Sequence, residues 1–90
     1  MIKNDFNIPR RDFTKKKRSI LKTRIIKMLK AYTLRDFLVD DDTNTVTCKI
    51  SVKRDGVIRE FPKQFTIVFQ LVDIPDNEED AILRLYATMS

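Results

Sequence analysis

The 90-residue sequence predicts an α+β fold in which one long N-terminal basic amphipathic helix packs on a small antiparallel β-meander of three strands. Three observations support this prediction. An apolar stripe with helical spacing runs through the first half of the chain, strict apolar–polar alternation marks the second half, and an Asp-Gly pair separates two alternating segments. The length suits one folded unit, with residues 1–13 as a basic irregular arm and residues 14–90 as a single α+β domain.

The helix is predicted over residues 14–38. Thr14 is placed to cap its first turn. Four cations are expected on the side opposite its apolar stripe, namely Lys16, Arg24, Lys27 and Lys30. The acidic, turn-forming segment that begins at Asp40 is expected to end it. The stripe itself consists of residues at i, i+4, i+7, i+8 and i+11, namely Leu21, Ile25, Met28, Leu29 and Tyr32.

The first strand is predicted over residues 45–53, where apolar and polar side chains alternate. The pair Asp55–Gly56 then favours a two-residue type I′ hairpin turn, since both central positions of that turn need a positive φ. The turn leads into a second alternating segment, in which Pro62 indicates a bend or a sheet edge. The apolar side of the first strand is formed by Val46, Cys48, Ile50 and Val52.

The hairpin turn also predicts a pairing register. It places Arg54 opposite Val57, and further along the ladder it places Val46 opposite Phe65. The same register pairs Ile50 with Phe61. Opposed residues share a face, so the apolar side of the second strand should consist of Phe61, Phe65, Ile67, Phe69 and Leu71.

The last segment has two interpretations. Residues 74–80 are expected to form an acidic loop, and residues 81–89 fit either a strand or a helix. The strand is slightly favoured, because a loop of hairpin length precedes the segment.

Missing residue types exclude most catalytic chemistry. The chain has no histidine, one cysteine and one glycine, which removes the usual general base, histidine-containing zinc sites and glycine-rich phosphate loops. Asp40, Asp42 and Asn44 have the spacing of a calcium loop. The sequence, however, lacks the glycine that such a loop needs at its sixth position and the glutamate that it needs at its twelfth. The sequence therefore predicts a non-enzymatic protein with no catalytic or metal-binding residues, no cofactor and no small-molecule substrate.

Localisation is predicted from two further features. No apolar run approaches the length of about 20 residues that a membrane span needs. The lone cysteine, Cys48, cannot form an internal disulfide, which favours a reducing compartment. We therefore expect an intracellular protein without a membrane span, located in the cytoplasm, or in the nucleus if the host has one.

Basic residues are concentrated near the N-terminus, which indicates either a polyanionic partner or two halves that neutralise each other within the fold. The net charge is +5, and residues 1–38 carry a net +9 against −4 for residues 39–90. Cations in a first helical turn oppose the helix dipole, so a run such as residues 15–18 suggests a contact role. The candidate phosphate-binding residues are Arg10, Arg11, Lys15, Lys16, Lys17, Arg18, Lys22, Arg24, Lys27 and Lys30.

The leading hypothesis is a small protein that binds the phosphate backbone of DNA or RNA through its basic arm and helix, with Phe6 and Phe13 available to stack on bases. The alternative is a protein-interaction module, either a subunit of a larger assembly or an inhibitor of another protein, that docks through the basic helix or a sheet edge, with an acidic protein as the expected partner. The run KKKR also fits a nuclear-import signal, and a basic amphipathic helix fits an anionic lipid surface. Free strand edges leave self-association into a homo-oligomer open.

Overall fold

The structure, a computed structural model, describes residues 2–89, and the side chains of residues 53–54 and 60–62 lie outside the described part. Its five strands form one antiparallel sheet with the order β1-β5-β4-β3-β2. Two short helices pack on one face of this sheet. The elements in chain order are β1 (Ile2–Pro9), α1 (Arg10–Lys15), α2 (Lys17–Met28), β2 (Thr33–Asp40), β3 (Thr45–Arg54), β4 (Val57–Ile74) and β5 (Asn77–Met89).

This architecture contradicts the predicted long helix on a three-stranded meander. The helical residues are confined to α1 and α2, and strands make up most of the described chain. Two segments account for the difference, because the N-terminal residues and the residues after α2 form the two edge strands of the sheet. Both segments were expected to be something else, an irregular arm and the second half of a helix.

The N-terminal segment is the first correction. Residues 2–9, expected within the irregular arm, form β1, which pairs with β5 from Ile2 opposite Ala87 to Pro9 opposite Asp80. The side chain of Ile8 is 1% exposed, so burial of an apolar residue fixes the C-terminal end of this strand to the core. Residues 10–15 then form α1 directly after the strand.

The helix is interrupted at Lys16, whose backbone has φ −127° and ψ 39°. At 100° per residue, Phe13 and Leu21 would lie about 80° apart on a continuous helix, whereas the break lets both side chains reach the core. Thr14 is not a cap, because its hydroxyl donates a hydrogen bond to the Arg10 carbonyl. α2 ends at Met28, ten residues before the predicted end.

β2 occupies the place predicted for the last part of the helix. It pairs with β3, and the register shifts by one residue between Arg35 and Leu38. This β-bulge contains Asp36, whose φ is +58°, and it turns Phe37 inward, where the ring is 8% exposed. The strand is held by its pairing with β3 and by burial of Phe37, tertiary contacts that override the local helical spacing.

The predicted hairpin turn is confirmed. Arg54 lies opposite Val57, and Asp55 and Gly56 have φ of +52° and +77°, as a type I′ turn requires. The ladder follows the predicted register as far as the pair of Ser51 with residue 60.

Further along the ladder the predicted register is wrong by two residues. Val46 lies opposite Ile67 instead of Phe65, because the register shifts between Lys49 and Ser51. A shift of two residues preserves the faces of a strand, so Phe65, Ile67 and Phe69 are buried as predicted. Leu71 is 38% exposed, and the side chain of Phe61 lies outside the described residues.

The last segment is a strand, and the slight preference for that interpretation is confirmed. Ala81, Leu83, Leu85 and Ala87 alternate and are at most 1% exposed. The expected acidic loop over residues 74–80 is shorter than predicted, since only residues 75 and 76 form the turn and Asn77 already begins β5.

The core lies between the helices and one face of the sheet. Leu21 and Ile25 of α2 are fully buried, and the rings of Phe13 and Phe69 meet edge to face with centroids 6.4 Å apart. Every buried polar side-chain atom in the described residues has a hydrogen-bond partner. The strands contribute Ile8, Phe37, Val46, Cys48, Ile50, Phe65, Ile67, Phe69, Leu83, Leu85 and Ala87 to this core.

One end of the β3–β4 hairpin projects past its neighbours. β2 ends its pairing at Ser51 and β5 ends its pairing at Phe65, so residues 52–59 form a two-stranded segment, which we call the ribbon. Val57 and Ile58 in the ribbon are 57% and 66% exposed.

Candidate nucleic-acid interface

The basic residues of α2 lie on its two flanks and, in one case, on its outermost face. Leu21 and Ile25 point into the core, and at 100° per residue the direction opposite them is occupied by Ser19, Thr23 and Lys27. All three outer residues are exposed. The predicted placement opposite the apolar stripe is therefore right for Lys27 and wrong for Arg24, because the other charges of α2 divide between a flank towards β2 and a flank towards β1.

The flank towards β2 contains Arg18 and Lys22. A guanidinium nitrogen of Arg18 donates a long hydrogen bond of 3.4 Å to the Phe37 carbonyl. The ammonium group of Lys22 lies 5.8 Å from the centroid of the Phe37 ring. Both contacts leave the cationic groups at the surface, because the two side chains extend across the inward-turned ring of the bulge.

The flank towards β1 contains Arg24. The guanidinium group of Arg24 lies over the Phe6 ring at 5.4 Å from its centroid. Phe6 is therefore covered and half-buried, and Phe13 is 6% exposed. The expectation that Phe13 stacks on nucleic-acid bases is wrong, since its ring is buried, and the Phe6 ring already has a cation over it.

Two of the predicted contact residues, Lys17 and Arg10, form ion pairs within the described part of the chain. Lys17 forms an ion pair of 2.9 Å with Asp41, and its ammonium group also lies 5.6 Å and 5.5 Å from the ring centroids of Phe13 and Phe69. These contacts supply a structural reason for a cation at the start of α2, where the sequence suggested none.

Arg10 makes similar contacts with β4 and β5. Its guanidinium group forms an ion pair of 2.6 Å with Asp73 and donates a hydrogen bond of 3.2 Å to the Asp80 carbonyl. Lys15 also differs from its expected place, because it lies in the last turn of α1, where the helix dipole favours a cation.

The other five predicted cations are exposed. Within the described part of the chain, their side chains make no hydrogen bond, ion pair or ring contact with another side chain. They lie on α1, at the helix break and around the end of α2, and they are Arg11, Lys15, Lys16, Lys27 and Lys30.

A basic groove crosses the β2 edge of the molecule. It is open, has a volume of about 740 Å³, and its only carboxylate is Asp36, which lies 3.8 Å from the Lys49 ammonium group. Among the apolar residues that line it, Leu38 is 68% exposed. We call it the β2 groove, and it is lined by Arg18, Lys22, Leu34, Arg35, Asp36, Phe37, Leu38 and Lys49.

Sequence reasoning missed two cations of the β2 groove, Arg35 and Lys49. Arg35 was assigned to the end of a helix, and Lys49 was treated only as the polar side of a strand. The available signal was the number of β-prone residues in this segment, such as Thr33, Phe37 and Val39. It was overlooked because Leu34, Phe37 and Leu38 also continue the helical spacing of the preceding segment. Recognising β2 would have placed both cations beside α2.

Most acidic side chains gather at the end of the sheet away from the ribbon. The β2–β3 turn and the β4–β5 turn both lie at that end. Arg10 and Lys17 form their ion pairs there, so part of the basic N-terminal segment is neutralised within the fold. The clustered acids are Asp40, Asp41, Asp42, Asp73, Asp76, Glu78, Glu79 and Asp80.

Other candidate chemistry has a structural explanation. Cys48 is buried, and desolvation raises the pKa of its thiol to about 11, which keeps it protonated near neutral pH. The Asp40 carboxylate accepts hydrogen bonds from the backbone N–H groups of Asp42 and Thr43, which closes the turn. Among the described residues, no three acidic, cysteine or histidine side chains converge as a metal site.

Comparison with known proteins adds no assignment. No family model, curated protein or solved structure matches the chain. None of the helices in residues 2–89 is both long enough and apolar enough to cross a membrane.

Proposed function

We propose that this chain is a small, non-enzymatic nucleic-acid-binding protein whose phosphate contacts run along the flank of α2 towards β2, through the β2 groove. The observation that carries the proposal is the charge of this groove, in which four cations from three different elements surround one carboxylate. Phosphate backbones are recognised by such clusters of Lys and Arg on one surface. We place this activity inside the cell, because the single cysteine is buried and unpaired.

The contacts are proposed to be with phosphates and not with bases. The aromatic ring that lines the groove, Phe37, is 8% exposed and lies beneath the Lys22 ammonium group, so the groove offers charge without a stacking surface. Phosphate contacts fix position but carry no sequence information. We therefore expect binding with little sequence preference and a steep dependence on salt.

The first test measures the affinity for a fluorescent duplex across a range of salt concentrations. If about six phosphates are neutralised, log K against log[salt] should fall with a slope of about −5. The triple variant Arg18→Glu, Lys22→Glu and Lys49→Glu should bind at least about tenfold more weakly, with a slope less negative by roughly 3. Arg35 is left unchanged in this variant.

A matched control carries the same charge change outside the β2 groove. It combines Lys15→Glu, Lys16→Glu and Lys30→Glu, three exposed positions. We expect a smaller loss of affinity, since these residues act only through the long-range field. Equal losses in both variants would contradict the role of the groove, and absence of binding by the wild type at low salt would overturn the proposed function in favour of a protein-interaction module.

A further inference from the structure

The outer edge of β1 is an open sheet edge. β1 is the last strand of the sheet and pairs only with β5, through eight residue pairs without a register shift. Among the described residues, none of the backbone hydrogen bonds made outside the helices and the sheet involves residues 2–9. An unpaired row of backbone N–H and C=O groups is a template for another strand. The opposite edge, β2, is interrupted by its bulge at Asp36.

We propose that β1 is a self-pairing edge, at which two copies of this chain join antiparallel about Asn4 into a continuous ten-stranded sheet. The residue pattern supports a second copy as the partner, because β1 is complementary to itself in this arrangement. Lys3 lies opposite the partner's Asp5, and Asp5 lies opposite the partner's Lys3. Ile2, which is 39% exposed, lies opposite the partner's Phe6. Each contact occurs twice, as a two-fold symmetric interface requires.

The neighbouring registers are excluded by charge. Opposed residues must share a face if the helices of both copies are to lie on one side of the sheet. The symmetry axis must then pass through a residue, and the registers next to the one at Asn4 are centred on Lys3 and on Asp5. Centring on Lys3 puts two ammonium groups opposite each other, and centring on Asp5 does the same with two carboxylates. Like charges directly opposite are destabilising, so only the register about Asn4 combines attraction with apolar contact.

The charged side chains of β1 are already oriented on the sheet surface. Asp5 accepts two hydrogen bonds of 3.0 Å from the Arg84 guanidinium group, which lower the pKa of its carboxyl and keep it ionised at neutral pH. A carboxylate retains further acceptor sites after two bonds, so a lysine from the second copy completes a three-charge row. The ammonium group of Lys3 lies 5.7 Å from the Tyr86 ring on the same face.

The pairing is tested by sedimentation equilibrium at protein concentrations up to roughly 100 µM, since one strand edge is small compared with a standard interface. Wild type should dimerise. Lys3→Asp leaves only acids in the two central pairs, and Asp5→Lys leaves only bases. Each variant alone should therefore dimerise at least roughly tenfold more weakly than the wild type. An equimolar mixture of the two should restore the dimer, because opposite charges then face each other.

This mixture also controls for folding, since a misfolded variant could not be rescued by its counterpart. A wild type that stays monomeric over the whole range overturns the proposal. A mixture that does not associate overturns the register. The inference stands apart from the nucleic-acid proposal, because neither Lys3 nor Asp5 lines the β2 groove.

A crosslink tests the register directly. The variant Asn4→Cys places two thiols opposite each other at the symmetry axis, within reach of a disulfide, so mild oxidation should give a covalent dimer. In Asn7→Cys the two thiols would lie six residues apart along the strand, or about 20 Å, and should not crosslink. The buried Cys48 gives no competing reaction. Equal crosslinking of both variants, or none of Asn4→Cys, would overturn the arrangement.

Discussion

The ammonium group of Lys17 lies between one carboxylate and two aromatic rings, at the point where α2 begins. Its side chain is 35% exposed, so its aliphatic part covers apolar surface while the charge reaches Asp41. Lys16, one residue earlier, is exposed and lies at the helix break. The basic run therefore contains residues with different tasks, which residue type alone cannot distinguish.

We expect the two neighbouring lysines to respond differently to truncation. Lys17→Ala should lower the free energy of unfolding by about 1–2 kcal/mol, because it removes the ring contacts and the half-exposed ion pair. Lys16→Ala should change it by less than about 0.5 kcal/mol, as is usual for surface positions. Urea denaturation of both variants measures the difference, and equal effects would show that the contacts of Lys17 contribute nothing to stability.

At the scale of elements, the edge strands are where the prediction from sequence failed. The β3–β4 hairpin was predictable, since alternation and the turn residues Asp55 and Gly56 are local signals. β1 and β2 were not predictable. β1 pairs with β5, which lies at the other end of the sequence, and β2 pairs with β3 only with a bulge in its own chain. Leu34, Phe37 and Leu38 also fit helical spacing, so the local sequence does not show that this segment pairs with β3.

The bulge in β2 is the element on which the β2 groove depends. The positive φ at Asp36 turns Phe37 inward, beneath Arg18 and Lys22, and leaves Leu38 on the outside. A non-glycine residue in this conformation costs about 1 kcal/mol, which aspartate tolerates better than branched residues do. The cost is offset by burial of the Phe37 ring.

Substitutions at Asp36 should follow this backbone requirement. Asp36→Gly should raise the free energy of unfolding by about 0.5 kcal/mol, and Asp36→Val should lower it by about 1–2 kcal/mol. The ion pair with Lys49 is long and exposed, so its loss contributes little. At Leu38, an exposed strand residue, the order should reverse, with valine more stable than glycine. The same order at both positions in denaturation experiments would contradict a strained bulge.

For the whole molecule, the fold neutralises part of the charge difference between the two halves of the sequence, which was one of the two interpretations of that difference. The first half is basic and the second acidic, yet Arg10 and Lys17 lie among the acids at the turn end of the sheet. The molecule is elongated, with extents of 49 × 26 × 24 Å and a radius of gyration of 14.1 Å, against about 12 Å for a compact chain of this length. Opposite charges thus neutralise each other at one end, while the β2 groove remains basic.

The long strand β4 passes through three different neighbourhoods, and each should give its amides a different lifetime against exchange with solvent. Residues 57–60 pair only with β3, residues 65–68 are paired on both sides, and residues 69–74 pair with β5. Opening the ribbon breaks one ladder and exposes little apolar surface, so its amides should exchange first, well below the energy of global unfolding. Hydrogen–deuterium exchange should find the slowest amides at residues 65–68. Uniform protection along β4 would contradict this expectation, whereas a gradient would mean that the ribbon opens and closes while the sheet stays folded.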